Sequence, residues 1–141
     1  MFRFSAFLIL CFIGTGQSHA MWAKVDDDEL VKSSVLIVEA TYAGQSSFSF
    51  DAKSSRLTLG VLRVHKVLKG DPATKLIFIR VPTVGLLRKS DDIVFTKGQQ
   101  GLWFLRTDSD YPGLYLADHP QRFVPEAQTS EKVRSIQELL H

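Results

Sequence analysis

One stretch limits what this chain can become. Between Arg56 and Leu68 the apolar residues alternate, and then the alternation changes phase. Leu57, Leu59 and Val61 take odd positions, whereas Leu62 and Val64 take even ones, flanking Arg63 and His65. A period of two marks a strand, and a change of phase calls for an inserted residue or a sharp bend. Gly60 stands at the changeover, where a missing side chain tolerates the bend. Long bent strands serve both halves of a closed barrel, so this segment points to a small β-barrel.

The neighbouring segments agree. Asp26-Asp27-Asp28-Glu29 followed by Leu30 and Val31 predicts a short helix ending near Ser33-Ser34, since Asp caps free amides and first-turn acids oppose the helix dipole. Val35 to Tyr42 reads as a strand, and Gly44 to Ser55, rich in Gly and Ser, as a loop. Lys69-Gly70-Asp71-Pro72 makes a turn. Lys75 to Val81 is apolar on both faces except at Arg80, which predicts a central strand. Pro82 to Asp92 is a polar loop. Gly101 to Thr107, Leu114 to Ala117 and Gln121 to Val124 are further strands, and Ser130 to Leu140 is a closing helix with Val133, Ile136 and Leu140 at helical spacing. In Gly101–Thr107, alternation puts Leu102 and Phe104 on one side and Trp103 and Leu105 on the other, so both sides should be covered, one by the barrel core and one by a terminal helix. The fold expected is all-β with short helices: a small five-stranded antiparallel OB-type barrel with an N-terminal and a C-terminal helix. An immunoglobulin-like β-sandwich is the alternative; it needs about seven strands, more than these segments supply.

The N-terminus constrains location. Arg3 precedes an apolar run from Phe4 to Ile13, and Ser18-His19-Ala20 offers the small residues that signal peptidase requires. About ten apolar residues rise only ~15 Å as a helix, half of a ~30 Å hydrocarbon core, which argues against a membrane anchor. Lipidation at Cys11 is disfavoured, because Leu10 is large and Cys11 lies within the run. Residues 1–20 are thus expected to be a secretory signal peptide and 21–141 one domain, exported to a bacterial periplasm or the exterior. Cys11 is the only cysteine, so the exported domain holds no disulfide and no thiolate ligand. A formal net charge of +2, with Arg3 lost in the signal, gives no strong field for nucleic acid or anionic membrane.

Leu30 to Tyr42 looks like the opening of small exported bacterial domains. Val64-His65-Lys66-Val67-Leu68-Lys69-Gly70-Asp71 is similar to their strand and Val-Leu-Lys-Gly-Asp turn. Phe95-Thr96-Lys97-Gly98 with Gly101-Leu102-Trp103-Phe104-Leu105 resembles their Lys-Gly, aromatic-rich strand segment. Those domains resemble the OB-fold barrel of tissue inhibitors of metalloproteinases and netrin-like modules. The resemblance spans Asp26 to Val124 and implies the barrel. It does not carry inhibition with it: those inhibitors grip the target's zinc through an N-terminal cysteine, and here the exported chain would begin Met21-Trp22.

Motifs for chemistry are wanting. His65, His119 and His141 lack metal-ligand spacing and read as exposed bystanders. Asp108-Ser109-Asp110-Tyr111-Pro112-Gly113 begins like a calcium loop, but Pro112 and His119 occupy positions where that loop needs ligands. Tyr42, Trp103 and Tyr115 with Arg63, Arg80 and Arg106 offer an aromatic and basic set of the kind that binds oligonucleotides or oligosaccharides. Export and near-neutral charge disfavour nucleic acid, and glycan remains an alternative ligand. The function expected is a non-catalytic exported interaction module for a protein or peptide partner, with no cofactor and no metal. The alternatives are an oligosaccharide-binding barrel, or a periplasmic enzyme or metal protein built from scattered residues. The candidate contacts are Phe48 and Phe50 in the first loop, and Leu86, Leu87 and Arg88 in the second, because loops present unpacked side chains on a rigid frame. Cleavage after Ala20 is checked by the intact mass of envelope material; a mass that retains residues 1–20, or a lipid adduct on Cys11, would overturn it.

Overall fold

The computed structural model describes residues 22–49, 56–82 and 93–141. Helix α1 (Asp27–Lys32) is followed by strands β1 (Leu36–Ser49), β2 (Arg56–Lys69), β3 (Leu76–Val81), β4 (Gln100–Thr107), β5 (Tyr115–Leu116) and β6 (Phe123–Pro125), then by helix α2 (Glu126–Ile136). Short 3-10 turns cover Pro120–Arg122 and Gln137–Leu140. The strands form one sheet in the order β1-β2-β3-β5-β4-β6, and β1 also pairs with β4. That second pairing closes a ring of five strands, with β6 lying alongside β4 outside it. Among the described residues there is one closed sheet and not the two-sheet sandwich.

Two cores result. Inside the ring lie Leu36, Val38, Ala40, Tyr42, Leu62, Ile77, Ile79, Trp103 and Leu105. Trp103 donates from Nε1 to the Ala40 carbonyl at 3.1 Å. Its ring meets Phe123 and Phe95 at centroid distances of 4.5 and 4.7 Å. On the other side of β1 and β4, Ile37, Leu102 and Phe104 pack against Leu30 and Val31 of α1 and Ile136 of α2. The alternation of β4 is therefore as read from the sequence, with Trp103 and Leu105 in the ring and Leu102 and Phe104 under the helices. Asp26 caps α1, its Oδ1 accepting from the Glu29 amide at 2.8 Å. Arg122, buried, closes the second core, donating to the Ser34 and Ser33 hydroxyls at 3.1 and 3.0 Å and to the Phe104 carbonyl at 3.3 Å.

Five expectations are corrected. Gly44 to Ser49 is strand and not loop: these residues continue β1 as a hairpin with Arg56–Val61, and the Ser47 and Thr58 hydroxyls hydrogen-bond at 2.7 Å. The side chains of Gln45 to Ser49 are exposed, and all but Phe48 are small or polar. The phase change in β2 is not a bulge at Gly60. Register shifts place the extra residues at Ala43 in β1 and at His65 and Leu68 in β2. Gly60 instead makes room for a neighbour, since a Cβ there would come within 2.6 Å of the Tyr42 ring and 3.0 Å of Ile79. The ring is not wholly antiparallel: β3 and β5 pair in parallel through Ile79 and Tyr115. Finally, β3 is apolar on both faces but covered on one, with Leu76 and Phe78 56% and 45% exposed. The closing helix also starts earlier than expected, at Glu126.

Phe104→Ala is expected to cost about 3–5 kcal/mol through the cavity it leaves under α2. Gly60→Ala should cost about 1–3 kcal/mol because the Tyr42 ring must move. Urea denaturation checks both, and an unchanged midpoint for Phe104→Ala would refute the packing.

Candidate functional site

Two clefts open beside each other, sharing Val81, Pro82, Ile93 and Phe95 as lining. The first, of about 710 Å³, follows β1 where it leaves the ring. Its lining adds Tyr42, Gln45 and Ser46 on one side and Val94 and Lys97 on the other. The ladder between β1 and β4 ends at Thr41 and Gln100. Tyr42 extends it through bonds between its amide and the Gln99 carbonyl (2.8 Å) and between the Gly98 amide and its own carbonyl (2.7 Å). At Gly44 the backbone takes a φ of +135°, a conformation that glycine supplies without strain. From Ala43 to Phe48 the strand pairs only with β2 among the described residues.

The second cleft, of about 500 Å³, is polar and aromatic. Arg80 projects from β3 and forms ion pairs with Asp108 and, at 3.2 Å, with Asp110. Its guanidinium also lies 5.3 Å from the centre of the Tyr111 ring. Arg106 on β4 donates from Nε to both oxygens of Asp118, at 3.0 and 3.1 Å. Trp22 and Tyr111, each 41% exposed, stand at the rim with Arg56. Trp22 is placed by His119, whose ring it meets edge-on at 5.1 Å. His119 Nδ1 accepts from the Gln121 amide at 3.2 Å, and its Nε2 lies 3.0 Å from the Ala23 carbonyl, a geometry that suits the Nε2–H tautomer. His119 is therefore a fastener for the N-terminal segment and not a bystander. His65 contacts Thr41 Oγ1 at 2.6 Å on the exposed side of its strand, and His141 is exposed.

Of the residues singled out from the sequence, Phe48 is 47% exposed on β1, opposite Leu57. Phe50, Leu86, Leu87 and Arg88 lie outside the described residues. Pro82 and Ile93 line both clefts. Trp103 is ring core and lines neither cleft, Tyr42 is ring core that borders the first, and Arg80 and Arg106 meet in the second. The Asp108–Gly113 segment is a turn whose first acid is spent on Arg80 and on the Asp110 amide at 2.9 Å. Sequence reasoning missed Trp22, Tyr111 and Lys97 as cleft residues, because only folding brings them to the clefts. No group of His, Cys, Asp and Glu among the described residues has the arrangement of a metal site. No helix among them is long and apolar enough to cross a membrane.

No protein-family model matches this chain, and no curated protein is significantly similar to it.

Three carboxyls are held below their ordinary range. Burial pushes the Asp108 carboxyl up, but the Arg80 guanidinium and the amides of Asp110 and Tyr111 outweigh it. Burial likewise raises Asp118, and Arg106 more than reverses it. For Asp27 the hydrogen bond from Lys132 dominates. A carboxyl lowered in the folded state contributes stability that is complete above its unfolded value, about pH 4, and is lost as pH falls through the lower folded value. The melting temperature should therefore hold from pH 7 to about pH 5 and fall steeply below about pH 4. Asp108→Asn should lower it at neutral pH and shrink the acid-dependent drop; an unchanged acid profile in that variant would refute the assignment.

Proposed function

We propose that this chain is a non-catalytic exported interaction module. Its ring, in the order β1-β2-β3-β5-β4, is an OB-type barrel like that of the netrin-like domains its sequence resembles, and its ligand is a protein or peptide partner. The observation that carries this reading is apolar surface left over after both cores are filled. On the outer face of β2 and β3, Val61 lies opposite Phe78, and Leu76 follows opposite Arg63. Leu76 and Phe78 are largely open, and Val61 continues the surface into the lining of the larger cleft. A compact exported domain leaves contiguous apolar surface of this kind where another molecule covers it.

A second reading draws on the smaller cleft. Trp22 and Tyr111 offer exposed ring faces beside arginine–carboxylate pairs whose charges balance, which suits a neutral, hydroxyl-rich ligand such as an oligosaccharide.

The test is capture of a partner from envelope extract by the purified protein. Phe78→Ser and Leu76→Ser should abolish capture while the melting temperature stays within a few degrees. If both variants keep the partner, and glycan-array binding appears that Trp22→Ala removes, the oligosaccharide reading replaces the first.

A further inference from the structure

We infer that the free edge of β1 is a strand-addition site: an extended peptide segment of a partner, carrying apolar residues at alternate positions and a carboxylate, lies along Ala43–Phe48 as an additional strand. This rests on the interaction-module reading above and names its ligand.

Backbone chemistry makes the first argument. Within the ring β1 is paired on both sides, with β2 and with β4. Past Tyr42 it keeps β2 and, among the described residues, has no other neighbour, while beyond the extra residue at Ala43 it remains strand as far as Ser49. Every second residue of such an edge directs its N–H and C=O outward, and an incoming extended backbone satisfies those groups in sequence. Recognition by added strands takes affinity from these main-chain bonds and specificity from pockets that receive alternate side chains.

The cleft beside the edge supplies the pockets. Gln45 and Ser46 form part of one wall, and the opposite side is Val81, Pro82, Ile93, Val94 and Phe95, nearly all of it apolar. Charge supplies the rest. Lys97 lines the same cleft next to Gly44, is exposed, and makes no ion pair among the described residues. A carboxylate on the peptide answers it.

The same residues argue against a second copy of this chain as the occupant. Phe48 is the one large apolar side chain of the edge; Gly44, Gln45, Ser46 and Ser47 are too small or too polar to fill an apolar cleft of about 710 Å³. The extra residue at Ala43 kinks the strand, and Lys97 would face its own copy's edge with nothing to pair with. Bulges and lysines at an edge are the devices that discourage self-pairing.

The experiment selects binders from a random eight-residue peptide library on the immobilised protein, then measures the selected peptides in solution. The expected peptides alternate apolar and polar residues and include Asp or Glu. Methylating the backbone nitrogens at one set of alternate positions should weaken binding at least about tenfold, while methylating the other set leaves it nearly unchanged. Lys97→Glu should remove the preference for an acidic residue. Hydrogen exchange should show new protection at amides within 43–48. Failure to select any peptide, equal tolerance of methylation at both sets, or protection centred on Leu76 and Phe78 would each overturn the proposal. Protection of 43–48 without peptide, rising with protein concentration alongside a dimer in sedimentation, would assign the edge to a second copy and overturn it too. If Phe78→Ser abolishes partner capture while 43–48 never gains protection, strand addition fails and the interaction reading stands. If neither peptide nor partner is ever captured, both fail.

Discussion

Closure of the ring rests on β4. This strand pairs with β1 along one edge and with β5 and β6 along the other, and it is buried on both faces. Its inward residue Trp103 does more than fill space. The indole N–H reaches across to the Ala40 carbonyl, so the largest side chain of the core is also tied to the strand that completes the ring. A buried indole without such a partner would forfeit the hydrogen bond it makes in water. The outward residues Leu102 and Phe104 anchor both helices. Ring and helical layer thus share β4 and its neighbour β1, and neither can loosen alone.

Polar groups secure the same frame at its margins. Burial draws the Arg122 guanidinium below its ordinary value, while Asp118 pulls the other way. Its donors are shared among Ser33, Ser34 and the Phe104 carbonyl, which joins the end of α1 to β4. Arg80 and Arg106 line the second cleft, where their carboxylate partners fix them, and Asp118 links Arg106 to Arg122. Each is held in one orientation before any ligand arrives, which lowers the ordering cost of binding.

Much of this was legible in the chain and some of it was not. The Asp26 cap, the alternation of β4 and the helical spacing of Val133, Ile136 and Leu140 are local patterns, and the structure keeps them. The continuation of β1 was hidden because Gly44 to Ser49 carries few large apolar residues; it is held by pairing with β2, and strand pairing leaves no mark on composition. Gly60 was visible as an anomaly with the wrong cause, since the atoms that demand a glycine belong to Tyr42 on the neighbouring strand. The parallel contact of β3 and β5 amounts to one residue pair. The clefts gather Trp22, Arg80, Arg106, Tyr111 and Asp118 from segments that only folding brings together, so no spacing announces them.

The fastening of the N-terminal segment bears on the order in which the molecule can assemble. Gln121 mimics a strand with its side-chain amide, accepting from the Val25 N–H and donating to the Val25 carbonyl, each at 2.7 Å. His119 contacts Ala23, and Lys132 and Ser135 of α2 hold Asp27. The earliest described residues are therefore secured by some of the last, and closure of β1 on β4 joins residues that are also far apart in sequence. Contacts so distant in sequence form slowly, because loop entropy is spent before they repay it. A chain built this way stays incomplete until its C-terminal portion is available.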